Sequence, residues 1–408
     1  MCTASTDMLG SETLESDPAY ESAAETYYAA CMNTGQIEER GAKPLLELIS
    51  TVGDFPVMNN TWKESDFNIE DIVIKLYELG LMPFMTLYVD PFKRGPKKMF
   101  SIDFPYHLLT ARNDSNHQEF MMKALQLLGA DETVLGTDFE AMKDFKDAIV
   151  KALYNQSASV AYPLSIDKLQ EKYNWLDWLK VLKAIGAKGN VVIESTDTVF
   201  LERDWYLDQL ADILNSTSKR AMANYMMSCL LTFSDLLDNR FRELTEKYPT
   251  NGLKIPTNER WKICVKATEE KLPEAVGRMY VNKYLRKKDK DFVTDMIKDI
   301  KTTFHEILEK NAWLSNETKA RAQTKIFQPG YKSLGFFDLS MLMVKNKALE
   351  NLNILAGDVE NEKWLTSTSV VNAHYHPRSN SMYILAGIFE EPAYYPDGTS
   401  CIVKLAAV

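Results

Sequence analysis

Several signatures of self-contained chemistry are missing from this sequence. There is no Gly-x-Ser-x-Gly elbow and no Gly-rich phosphate loop, so neither an α/β-hydrolase nucleophile nor a nucleotide cradle is indicated. The commonest metallopeptidase motif needs two histidines at i and i+4 on one helix, with a glutamate between them as general base. Of the five histidines, only His305-Glu306 begins in that way, and Ile307-Leu308-Glu309 follows, so the second imidazole is absent. No apolar run reaches the roughly 18 residues that a membrane-spanning helix requires. The longest uncharged helical run, residues 221–234, is 14 residues long, as in a buried core helix. The first 20 residues carry acids and no apolar core, so no signal peptide is expected, and read literally Met1 begins a cytosolic protein. Basic residues are the minority, 47 against 57 acidic, giving a net charge of −10 and excluding nucleic acid as a natural partner. The short basic stretch 286–290 is followed at once by Asp291 and reads as a solvated helix start. Cysteines number five: Cys2, Cys31, Cys229, Cys264 and Cys401, too few for a disulfide scaffold and odd in number.

What is present describes a helical, extracellular protein. The 408 residues, 45% of them hydrophobic, can build two domains with real cores. Five Asn-x-Ser/Thr sequons, at Asn59, Asn113, Asn155, Asn215 and Asn316, are glycosylation candidates and favour a secreted history. Apolar residues at Phe292, Met296, Ile300, Phe304 and Leu308 recur every three or four positions, the stripe of one long helix. Similar spacing predicts helices over 39–52, 69–79, 139–154, 205–214 and 218–247. Residues 218–237 are apolar nearly all round and belong in the middle of a bundle. Residues 84–89 and 99–103 flank Gly95-Pro96 and read as a hairpin or small sheet. Residues 369–375 and 381–385 read as strands, and the change from long helices to short strands near residue 365 is the candidate domain boundary. Histidines 374 and 376 alternate on one strand face and could hold a metal only if a third ligand converged; none is evident.

Five stretches, in order, resemble the neprilysin and endothelin-converting-enzyme family of zinc endopeptidases. They are Tyr27-Tyr28-Ala29-Ala30-Cys31 with Arg40-Gly41 and Pro44-Leu45-Leu46; Ile102-Asp103-Phe104-Pro105; Trp261-Lys262-Ile263-Cys264 with Glu274-Ala275-Val276-Gly277-Arg278; Asn311-Ala312-Trp313-Leu314; and Val370-Val371-Asn372-Ala373-His374-Tyr375 with Ala386-Gly387-Ile388. The resemblance implies a mainly α fold: a long-helix bundle with a small β hairpin over residues 1–365, capping the active-site cavity, and then the first strands of the catalytic domain over 366–408. It also implies a disulfide between Cys31 and Cys264, although the residues alone leave two separate buried thiols open. Cys2, Cys229 and Cys401 stay unassigned, with Cys229 read as a small core residue. Asn372 and Ala373 resemble the family's clamp on the substrate backbone, the simpler reading being an asparagine that only caps or pairs within a sheet.

Departures from the family pattern shape the remaining expectations. The Gly-Tyr-Pro-Asp segment is reduced to Gly330-Tyr331-Lys332, and after Tyr395 the resemblance ends. In the family the zinc-binding helix follows this point, and a membrane anchor precedes the first stretch, so both ends are expected to be clipped. The expected function is therefore part of a zinc endopeptidase acting on oligopeptides outside the cell. These residues are expected to be inactive alone, with no catalytic or metal-binding residue and no cofactor of their own. Any membrane attachment would be through an anchor not in this sequence. A non-catalytic pseudopeptidase that binds peptide or protein partners is the alternative.

Overall fold

The computed structural model describes residues 8–9, 19–89, 99–109, 115–154, 160–248, 259–285, 291, 336–355, 367–376 and 381–389. The chain is mainly helical with a small four-stranded sheet, and it divides into two compact units. One comprises Met1–Met32, Thr257–Leu334 and Glu360–Val408; the other comprises Asn33–Pro256 and Gly335–Val359. Helix α1 (Ala19–Met32) belongs to the first unit.

The second unit starts where residues 39–52 split, against expectation, into α2 (Thr34–Arg40) and α3 (Lys43–Val52). Gly41 makes the break: at φ +54° its N–H donates to Ile37 O at 3.0 Å, closing α2 in a left-handed conformation that suits glycine. Helix α4 (Ile69–Glu78) is capped by Asn68, whose Oδ1 accepts from Asp71 N at 3.0 Å, and it buries Ile72, Val73, Leu76 and Tyr77. Strands β1 (Thr86–Val89) and β2 (Phe100–Asp103) pair antiparallel, Thr86 opposite Asp103, as the flanking turn residues suggest. Then come α5 (Ser115–Leu128), α6 (Glu132–Tyr154), β3 (Tyr162–Ser165), α7 (Ile166–Lys172), α8 (Trp178–Lys188), β4 (Thr198–Leu201) and α9 (Asp204–Ser216). The sheet order is β1-β2-β4-β3, with β2 and β4 parallel and β3 antiparallel to β4, so the expected hairpin is half of a mixed sheet.

Residues 218–237 do not form one helix. Helix α10 (Lys219–Ser228) passes into 3-10 turns over Cys229–Leu236 before α11 (Asn239–Lys247). At the junction Ser228 Oγ donates to Tyr225 O at 2.7 Å and Cys229 Sγ to the same carbonyl at 3.7 Å, competing for an acceptor of the α ladder. The burial expectation holds for the middle of the stretch, where every residue from Ala221 to Ser228 is buried, whereas Ser218, Lys219, Thr232 and Asp235 are exposed. The surrounding core includes Phe84, Ile102, Leu153, Trp178, Leu182 and Tyr206, each burial contributing roughly 1.5–3 kcal/mol. Two large buried side chains have their polar tips satisfied: Trp178 Nε1 donates to Tyr173 O and Tyr225 OH to Pro83 O.

In the first unit, α12 (Arg260–Lys271) and α13 (Pro273–Tyr284) both pack on α1. Helix α14 (Phe336–Leu355) belongs to the second unit and packs on α4, β1 and α8, with Leu352 so close to Gly189 that a Cβ there would come within 2.6 Å of it. Strands β5 (Ala373–His376) and β6 (Ser381–Ile384) form a two-stranded antiparallel sheet in the first unit, followed by a 3-10 turn over Ala386–Phe389. The long helix read over residues 292–308 lies outside the described residues, as do Cys2, Cys401, Asn113, Asn155 and Asn316.

Candidate functional site

Both residue pairs singled out in the sequence lie in the first unit. Cys31, at the end of α1, and Cys264, on α12, form a disulfide with Cα atoms 5.6 Å apart, and both are fully buried. Arg260, one turn earlier on α12, donates through Nε and Nη2 to Cys31 O at 3.0 and 2.8 Å. That guanidinium serves a helix-end carbonyl that would otherwise lack an intrahelical donor. Cys229 is a free thiol, and burial pushes it up to about 12.

Asn372 and Ala373 are exposed where β5 begins. Leu385 N donates to Asn372 O at 3.2 Å, and Ala373 stands opposite Ile384. In an antiparallel ladder, main-chain groups point alternately toward and away from the partner strand. With Asn372 bonded to Leu385, the N–H and C=O of Ala373 and Tyr375 therefore face away from β6, on an edge that no other strand pairs with among the described residues. Asn372 Oδ1 accepts from Ala373 N at 2.8 Å, so that donor is held by its neighbour's side chain. The asparagine's own amide nitrogen makes no hydrogen bond among the described residues. On the adjacent pair, the His374 ring stacks on Tyr383, with centroids 4.9 Å apart and planes 15° from parallel.

Behind the strand is a support that sequence reading did not find. Ser367 and Ser369, both buried, share a hydrogen bond between their Oγ atoms at 2.7 Å, and Ser369 Oγ donates to Glu269 Oε1 on α12 at 3.1 Å. Thr368 O accepts from Gly387 N at 2.8 Å. A Cβ at Gly277 would lie 2.5 Å from Thr368 Oγ1, and one at Gly387 would lie 2.3 Å from Ser369 O. The two glycines fall in stretches that carry the resemblance, which is the available signal; Glu269 and the two serines carry none.

The sequons divide. Asn59 and Asn215 are exposed, Asn215 within the last turn of α9. Asn59 Oδ1 accepts from both N and Oγ1 of Thr61, the hydroxyl residue of its own sequon. Among the described residues no group of three or more His, Cys, Asp or Glu side chains is arranged to hold a metal ion. The described residues thus do not fit a zinc site. Among them, too, no helix is long and apolar enough to cross a membrane.

The profile of peptidase family M13 matches residues 4–328. Endothelin-converting enzyme 1 of Rattus norvegicus is 27% identical over 419 residues, covering 92% of this chain and 54% of the relative. Membrane metallo-endopeptidase-like 1 of Mus musculus is 26% identical over 447 residues, covering 96% and 58%. The chain therefore spans a little over half the length of these relatives. PepO from Lactobacillus rhamnosis HN001 shares the fold with a TM-score of 0.73 at 18% identity, over 97% of this chain and 66% of that one. The Mycobacterium tuberculosis zinc metalloprotease Zmp1 in its open state does so with a TM-score of 0.70 at 15% identity, over 98% and 65%. With well over half of its residues matched by the profile, the chain belongs to peptidase family M13, a family of zinc metallopeptidases.

Proposed function

We propose that this chain is the peptide-admitting and peptide-holding part of a neprilysin-like zinc endopeptidase. Residues 1–365 would be the helical domain that restricts access to oligopeptides, and residues 366–408 the beginning of the catalytic domain. Asn372 and Ala373 would align the substrate. The observation that carries this reading is the edge of β5 turned away from β6, which no other strand pairs with among the described residues. An extended peptide can add to such an edge through main-chain hydrogen bonds, with the Asn372 amide as a further partner and the small Ala373 side chain permitting close approach.

The same reading holds that these 408 residues do not hydrolyse peptides by themselves, because no His-Glu-x-x-His occurs among them; the one His-Glu pair, His305-Glu306, is followed at position 309 by glutamate. The buried disulfide and the exposed sequons Asn59 and Asn215 support an extracellular setting with glycans at those two positions.

Two measurements test the proposal. Fluorescence anisotropy with a labelled extended peptide is expected to give saturable binding, weakened about tenfold by Asn372→Ala, the scale of one lost hydrogen bond at a desolvated contact. A quenched peptide incubated with the chain and added Zn²⁺ is expected to stay intact. Absence of binding would remove the clamp, and zinc-dependent cleavage would remove the inactivity. If the full message were found to encode no His-Glu-x-x-His downstream, peptide binding without zinc would mark a pseudopeptidase.

A further inference from the structure

We propose that Glu269 and Ser369 are positioning residues that hold the Asn372–Ala373 strand in register; this rests on reading that strand as a peptide clamp. The clamp lies at the surface, and two main-chain bonds at Asn372 and the pairing with β6 would by themselves leave its approach free to shift. The preceding segment is fixed far more tightly. Ser369 donates its hydroxyl hydrogen to the Glu269 carboxylate at 3.1 Å, a contact that ties the segment to α12. Ser367 Oγ completes the group with Ser369 Oγ and also accepts from Ser369 N at 3.3 Å. Gly277 and Gly387 bring α13 and the last 3-10 turn so close that Thr368 and Ser369 have no room to move toward either. From this anchor only Val370 and Val371 intervene before Asn372, and Val370 O accepts from Asn372 N at 3.0 Å.

The anchor is itself referenced to a fixed element. Glu269 is on α12, the helix that carries Cys264 and so is bonded covalently to α1. A line of contacts therefore runs from the disulfide through α12, Glu269 and Ser369 to the backbone that would meet the substrate. Satisfying two buried hydroxyls would not need a carboxylate. Setting the strand against α12 does need a strong acceptor at this place.

The test uses the full chain and three variants, Ser369→Ala, Glu269→Ala and Glu269→Gln. Hydrogen exchange of the amides at 371–376 and anisotropy with a fluorescein-labelled Leu/Ala/Phe peptide are read side by side. Ser369→Ala and Glu269→Ala are expected to speed exchange in that segment about tenfold and to weaken peptide binding similarly, the scale of one hydrogen bond to a charged group. Glu269→Gln, which keeps an acceptor oxygen, is expected to restore most of both, while amides of β1 and β2 exchange as before. Unchanged exchange at 371–376 in the two alanine variants overturns the proposal, as does a Gln variant as damaged as the Ala variant. Should the parent chain bind no peptide, the clamp reading falls, and the exchange data alone still decide whether Glu269 sets the strand.

Discussion

Asp238 combines two local roles at the start of α11. Its Oδ1 accepts from Arg240 N at 3.0 Å, capping the helix, while Arg240 Nε and Nη2 bind its two oxygens at 2.9 and 2.8 Å. The Arg240 hydrogen bonds hold this carboxyl below the usual carboxylate range. A folded value below the unfolded one gives stability that is present above the unfolded value, roughly pH 4, and is lost as pH falls through the folded value. Asp238→Ala should therefore cost about 1 kcal/mol near neutrality, by urea denaturation, and the difference from the parent should shrink on acidification. A pH-independent difference would count against this account. Cys229 gives a second residue-scale expectation. With its thiol pushed up to about 12 by burial, it stays protonated near neutrality, where the thiolate is the reactive form. Peptide mapping after iodoacetamide treatment should find it unlabelled in the folded chain and labelled in urea; fast labelling of the native protein would show an accessible thiolate.

At the level of elements, the pair α6–α10 illustrates how the bundle is pinned. Arg220, at the start of α10, donates through Nε and Nη2 to Asp138 on α6 at 2.8 and 2.7 Å, and Nη2 also reaches Pro56 O at 2.9 Å. Arg220→Met would strand the buried Asp138 carboxylate at a cost of about 3 kcal/mol, read as a lower urea midpoint. A change below half of that would mean that water reaches Asp138. Elements of this kind were legible wherever apolar spacing was sustained: α4 begins and ends within a residue of its expected span. The break at Gly41 was missed because the apolar spacing of residues 44–52, extended back to Glu39, runs over the stop and start signals that Gly41 and Pro44 provide. β3 and β4 were missed because they are four residues long and β3 contains Pro163, which weakens any strand signal. The candidate site divided in a similar way. Asn372, Ala373 and the two half-cystines sit in recognisable stretches. Glu269 meets Ser369 across 100 residues of sequence, a contact that only the folded chain brings about.

For the whole molecule, the disulfide and the division into two units set the expected unfolding behaviour. A bond closing a separation of 233 residues restricts the unfolded chain by about 5 kcal/mol on a loop-entropy argument. Reduction should lower the first unit's denaturant midpoint. Hydrogen exchange should rise in α1 and α12, which the bond joins directly, while the sheet β1-β2-β4-β3, built within the second unit's own core, keeps its protection. Equal loss of protection in both units would show that they unfold as one.

The stretch Asn33–Pro256, the greater part of the second unit, lies wholly between the two half-cystines. A protease that nicks any single loop inside that stretch would leave two fragments still tied together, migrating as one species until a reductant parts them. A cut after Cys264 would release its piece at once. Damage within Asn33–Pro256 would thus be covalently silent, and the chain could be clipped there without shedding mass.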